Sequence, residues 1–138
     1  MNRKAIITGA TRGIGREIAT RLAGEGIDLS LVARNKDKLQ ELAEELSQTG
    51  IRTLPITMDL EDENSPGEII RQTVSEFGGL DILINNAGMP HKGSISEADP
   101  TLWDKMFAVN ARAPYFLCQQ AIPHLKKSNK PVIINIRS

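Results

Sequence analysis

Residues 4–15 read KAIITGATRGIG, and this stretch decides the fold. Lys4 to Thr8 is a short apolar run suited to a buried strand. Gly9, Gly13 and Gly15 follow within seven residues. A helical pattern begins at once and runs to about Gly24. Ile14, Ile18 and Leu22 recur at every fourth position with Ala19 and Ala23 beside them, so that stripe is expected to pack on a sheet. The glycine spacing departs from the usual G-x-G-x-x-G dinucleotide fingerprint but serves the same physical purpose. Gly9 lets the backbone leave the strand sharply, Gly13 permits close approach by an anion, and Gly15 lets the helix pack on the sheet. The helix start then offers unpaired N–H groups and a positive dipole end to a phosphate.

Strands and helices keep alternating outward from this loop. Asp28 to Ala33 reads as a second strand and Lys36 to Thr49 as a helix with Leu39, Leu42, Ala43 and Leu46 on one face. Ile51 to Met58 reads as a third strand. Pro55 lies within it, and a proline cannot donate to a ladder, so an edge position is expected. Ser65-Pro66 opens a helix as cap and first position, with Ile70, Val74 and Phe77 inward. Leu80 to Ile84 is a fourth strand, Asn85 to Pro100 a loop, Leu102 to Lys127 a long helix, and Pro131 to Ile136 a fifth strand. Five short apolar strands joined by helices predict a doubly wound α/β domain with a parallel sheet covered on both faces. The whole of residues 1–138 reads as one such domain. Ligands of this architecture bind at the carboxyl ends of the strands.

Composition narrows the partners. Lysine plus arginine equals aspartate plus glutamate, 17 each, so the zero net charge gives no reason to expect nucleic acid or an anionic membrane. No stretch approaches the roughly 20 apolar residues of a membrane span. The single cysteine, Cys118, cannot form an internal disulfide and is expected to be a packed thiol, which fits a cytoplasmic location. His91 and His124 have no partners at ligand spacing, so no metal site is expected. Trp103, Met106 and Phe107 are expected in the core or an interface.

TGATRGIG resembles the cofactor loop of short-chain dehydrogenases/reductases, and further matches follow in order. Asp59 matches the family aspartate that contacts adenine. Asn85-Asn86-Ala87-Gly88 matches the NNAG motif. Asn110, in FAVNARAPYF, matches the helix asparagine of the catalytic tetrad, and IINIRS resembles the strand that delivers the catalytic serine, here Ser138. The resemblance spans the whole chain and is closest in spacing to 3-oxoacyl-carrier-protein reductases. It implies a Rossmann-like sheet of strand order 3-2-1-4-5. It also implies cofactor contacts from Gly9, Thr11, Arg12, Gly13, Ile14, Gly15, Arg34, Asp59, Leu60, Asn86, Ala87 and Gly88, and a carbonyl or alcohol as small-molecule substrate.

NAD-specific members of the family usually carry an acid at the end of the second strand, to hold the ribose 2′-hydroxyl. This chain has Leu31-Val32-Ala33-Arg34-Asn35 there, with no acid. Arg34 stands where a 2′-phosphate would lie, and Arg12 adds a second cation, so NADP is expected over NAD.

The family's general acid/base is a tyrosine in a Tyr-x-x-x-Lys pair. The single tyrosine here is Tyr115, with Gln119 four residues on, so it does not match. The expectation is therefore an oxidoreductase half whose chain ends at the fifth strand, before the C-terminal part of the family fold, and which is inactive alone. The alternative is a non-catalytic dinucleotide-binding fragment or a self-associating remnant. An uncovered fifth strand, with Val132, Ile133, Ile134 and Ile136, is expected to favour a homo-oligomer. Pro114, four residues after Asn110, has no N–H for the Asn110 carbonyl, so a bend or widened turn is expected between them.

Overall fold

The computed structural model describes residues 2–89 and 93–136. Strands β1 (Lys4–Thr8), β2 (Asp28–Ala33), β3 (Thr53–Thr57), β4 (Ile82–Asn85) and β5 (Val132–Asn135) form one sheet in the order β3-β2-β1-β4-β5. Every neighbouring pair is parallel. Helices α1 (Gly13–Gly24), α2 (Lys36–Ser47), α3 (Ser65–Phe77), α4 (Pro100–Phe107) and α5 (Ala113–Leu125) supply the crossovers. This is the doubly wound fold expected from the sequence.

Strand alternation explains the two cores. Ala5 and Ile7 of β1 join Leu29, Leu31, Ile82 and Ile84 on one face, under Ala19 and Ala23 of α1 and Leu39, Leu42 and Leu46 of α2. Ile6 points the other way and joins Val32, Ile56 and Leu83, under Ile69 and Ile70 of α3 and Leu117, Ala121 and Leu125 of α5. Each large side chain so buried contributes about 1.5–3 kcal/mol. Pro55 lies in β3, paired on one side only, opposite Leu31 of β2, as an edge proline should. At the other edge, Ile133 and Ile134 of β5 are exposed.

Four details differ from the sequence reading. The buried line of α1 is Gly15, Ala19 and Ala23, with Ile18 and Leu22 only flanking the core, while Ile14 is 62% exposed. Small residues let this helix lie close to the sheet, and Ile14 at its start overhangs the strand end. Asn64, not Ser65, precedes the first residue of α3, and the Ser65 hydroxyl instead donates to the Asp62 carbonyl at 2.7 Å. The single long helix is α4 and α5 joined through a π-helical turn, Ala108–Arg112, and the loop before it holds a 3-10 turn, Ile95–Glu97. Trp103 and Phe107 stack at 4.6 Å between ring centroids but are both exposed, so they are not core residues.

At the amino end of β2, Asp28 is buried and fully engaged. Its Oδ1 accepts the Arg52 backbone N–H at 2.9 Å, and its Oδ2 accepts Arg52 Nε at 3.0 Å and Nη2 at 2.9 Å. Burial pushes this carboxyl up, but the bonds from Arg52 and Asn2 outweigh it and hold the group below its usual value. This anchor closes the sheet at the end away from the glycine loop.

Candidate functional site

A cavity of about 580 Å³ opens at the carboxyl ends of β1, β2, β3 and β4. Its walls are the glycine loop, residues 32–35 and Lys38 after β2, residues 58–60 after β3, residues 86–89 after β4, and Val109 of the π turn. Its volume falls in the usual range for small-molecule sites.

Thr8 is the hub of the floor. It is buried at the end of β1, and its Oγ1 accepts the backbone N–H groups of both Asn86 and Ala87 at 3.0 Å. The Asn86 amide donates back to the Gly9 carbonyl at 3.1 Å. The two loops consequently approach so closely that a Cβ on Gly9 would lie 2.9 Å from Ala87 Cα, and one on Gly15 2.2 Å from the Gly9 oxygen. Gly15 thus packs against the loop as well as the sheet. Gly13 needs glycine for a different reason: its φ is +57° with open space around it. Arg12, the residue capping α1, makes no side-chain bond to the helix, which leaves the first-turn N–H groups without a side-chain cap.

Asn110 holds the far wall. Its Oδ1 accepts the Met89 N–H at 2.8 Å and its Nδ2 donates to the Met89 carbonyl at 2.9 Å. From the same π turn, Arg112 donates to the Glu61 carbonyl at 2.5 Å, while Asp59 Oδ1 accepts the Glu61 N–H at 2.9 Å. The turn therefore braces the loops after β3 and β4 together. Its widening is visible in the Ala113 N–H, which donates to the Ala108 carbonyl five residues back. The widened turn expected before Pro114 is present. Below it, Asn85 donates to Asn135 Oδ1 at 2.9 Å and joins β4 to β5 beside Cys118.

Gly9, Thr11, Arg12, Gly13, Ile14, Arg34, Asp59, Leu60, Asn86, Ala87 and Gly88 all line the cavity. Gly15 lies beneath it, buried. Asn110 acts on the wall through Met89. Ser138 and His91 lie outside the described residues. The sequence reading missed Thr8, Lys38 and Met89. Thr8 carried a usable signal, a hydroxyl at the last strand residue before the glycines. Lys38 carried one too, a cation in the first turn after Arg34. Met89 carried none.

The family profile for short chain dehydrogenases matches residues 3–138. The chain belongs to the short-chain dehydrogenase family. It is 38% identical over 134 residues to an uncharacterized oxidoreductase of Staphylococcus aureus, covering 97% of this chain and 57% of that protein. It is 33% identical to the 3-oxoacyl-[acyl-carrier-protein] reductase of Staphylococcus epidermidis, covering 100% of this chain and 57% of the other. Its fold superposes with a TM-score of 0.92, at 33% identity, on L-sorbose reductase from Gluconobacter frateurii complexed with NADPH and L-sorbose, covering 97% of this chain and 51% of that one. The chain spans about half the length of these relatives.

In this family member the site's charge is uneven although the chain is neutral overall. Arg12, Arg34 and Lys38 line the cavity, with Asp59 the only carboxylate lining it among the described residues. Uncapped helix N–H groups, a positive-φ glycine with open space, and this cationic wall all fit a nicotinamide dinucleotide with its phosphates.

Proposed function

We propose that the chain is the NADP(H)-binding half of an oxidoreductase that transfers a hydride between the cofactor and a carbonyl or alcohol substrate. The observation that carries this is Arg34 lining the cavity just after β2, with Arg12 of the glycine loop lining it as well and no acid among residues 31–35 to hold a 2′-hydroxyl. When bound, the cofactor supplies the hydride chemistry. The protein's own residues bind and orient it. The α1 N-terminus and Gly13 receive the pyrophosphate, Arg12 and Arg34 the 2′-phosphate, and Asp59 and Leu60 the adenine. Asn86, Ala87 and Gly88 lie along the rest of the molecule. Asn110 and Ser138 take the roles of tetrad asparagine and serine that the family resemblance gives them. Pro114 has no N–H to give the Asn110 carbonyl, and that carbonyl is proposed to accept from a relay water instead.

A proton donor for carbonyl reduction is not assigned. Tyr115 is 67% exposed on α5 and has Gln119 rather than lysine four residues on, so these 138 residues are proposed to be inactive alone. Self-association into a homo-oligomer and a cytoplasmic setting belong to the same proposal. The test is Arg34→Asp in a binding titration. NADPH should weaken by about 1.5–3 kcal/mol more than NADH, because a charge-assisted contact is lost and a repulsion gained. Equal loss for both cofactors would refute the role of Arg34.

A further inference from the structure

Lys38 occupies a place on the cavity wall that neither the glycine loop nor the strand end accounts for. It sits in the first turn of α2, which Asn35 fixes by accepting the Lys38 backbone N–H at 3.0 Å. Leu39, next in sequence, is fully buried and anchors that turn in the core. The base of the lysine is therefore held in position while its long stem remains free. The described ion pairs engage Arg16, Arg21, Arg52 and Arg71. Among the described residues, Arg12, Arg34 and Lys38 have no carboxylate partner.

Three cations without carboxylate partners line one cavity and repel one another, and the repulsion is relieved best by a ligand carrying more than one negative charge. A phosphate monoester fits this better than a phosphodiester or a hydroxyl. It is close to dianionic at neutral pH and presents three acceptor oxygens, one for each cation. We infer that Lys38 is a third, specificity-determining cation of a phosphate-monoester site shared with Arg12 and Arg34. It selects a 2′-phosphorylated adenosine over the unphosphorylated one. This rests on the NADP reading above and adds a residue to it. The lysine acts as a mobile point charge that closes over the phosphate, whereas the Arg34 fork sets its orientation.

The experiment titrates the 138-residue chain, Lys38→Gln and Lys38→Arg with adenosine 2′,5′-bisphosphate, 5′-AMP and inorganic phosphate at low salt. Wild type should prefer the bisphosphate over 5′-AMP by roughly ten-fold or more, and inorganic phosphate should bind far more weakly than either. Lys38→Gln should cut the preference by about five-fold with 5′-AMP binding unchanged, and Lys38→Arg should keep most of it. An unchanged preference in Lys38→Gln overturns the role of Lys38 while the NADP reading stands. Equal weakening of both nucleotides also overturns it, since the lysine would then act on the fold rather than on the phosphate. Inorganic phosphate binding as tightly as the bisphosphate would make the site a general anion patch and overturn the adenosine specificity. Wild type binding neither nucleotide overturns the NADP reading and this inference with it.

Discussion

The Asn110 side chain holds the backbone of Met89 with both of its polar atoms, Oδ1 accepting at 2.8 Å and Nδ2 donating at 2.9 Å. An amide carries an acceptor oxygen and a donor nitrogen side by side, which matches the carbonyl and N–H of one backbone residue. Asn110 thus has a structural duty in this chain, because it joins the π turn to the loop after β4. Asn110→Ala should lower stability by about 1–2 kcal/mol, two modest net hydrogen bonds, and weaken dinucleotide binding as well. Asn110→Asp keeps the acceptor but loses the donor and sets a charge against the Met89 carbonyl, so it should be no better than alanine. Urea denaturation with a parallel titration checks both. Unchanged stability in Asn110→Ala would show that the Met89 bonds contribute nothing.

Gly15 and Gly13 should respond differently to alanine. A Cβ at Gly15 would meet the Gly9 oxygen at 2.2 Å and the Asn86 amide nitrogen at 2.3 Å, so the loop must move. Gly15→Ala should lose most dinucleotide affinity and destabilise the fold. At Gly13 the space is open and only the positive φ resists, which costs about 1–2 kcal/mol. The two melting curves, compared side by side, should show Gly15→Ala as the more damaged. The reverse order would mean that the two loops are not packed as described.

Asp28 sets an acid limit on stability. Its carboxyl is held below the usual value, so its contribution is fully present above the unfolded-state pKa of about 3.9 and is lost as pH falls through the folded value. Stability measured from pH 7 down to about 5 should show no effect of Asp28, with a decline attributable to it only below about 4. Asp28→Asn should be less stable at pH 7 and should flatten that acid limb. Identical acid limbs in the two proteins would contradict this.

Catalysis should be absent from the isolated chain. NADPH oxidation with ketones or 3-oxoacyl thioesters should stay at background in a spectrophotometric assay. Turnover that disappears in Ser138→Ala would show that another residue supplies the proton.

Most of the architecture was legible because it rests on local patterns. The short apolar run Lys4–Thr8, the glycines after it and the edge proline Pro55 are each local signals that the residue type dictates. The cavity wall was legible for a related reason, since doubly wound folds place the residues after each strand together. The failures arise where tertiary packing decides. Ile14 fits a helical stripe, but three small residues bring α1 so close to the sheet that the stripe rotates and Ile14 is left out. The link from Asn110 to Met89 joins positions 21 residues apart through a backbone group, and no side-chain pattern encodes a backbone partner. Lys38 was passed over because one lysine on a helix is usually solvated, and its position in the first turn after Arg34 gains weight only from its place on the cavity wall.

The central claim is that these residues form an NADP site, and calorimetric titration of the 138-residue chain with NADPH and NADH tests it most directly. The account predicts saturable one-to-one binding of NADPH, tighter than NADH by roughly ten-fold or more, with the difference shrinking as salt rises because charges carry it. Equal affinity for the two cofactors, a preference for NADH, or no binding of either would contradict it.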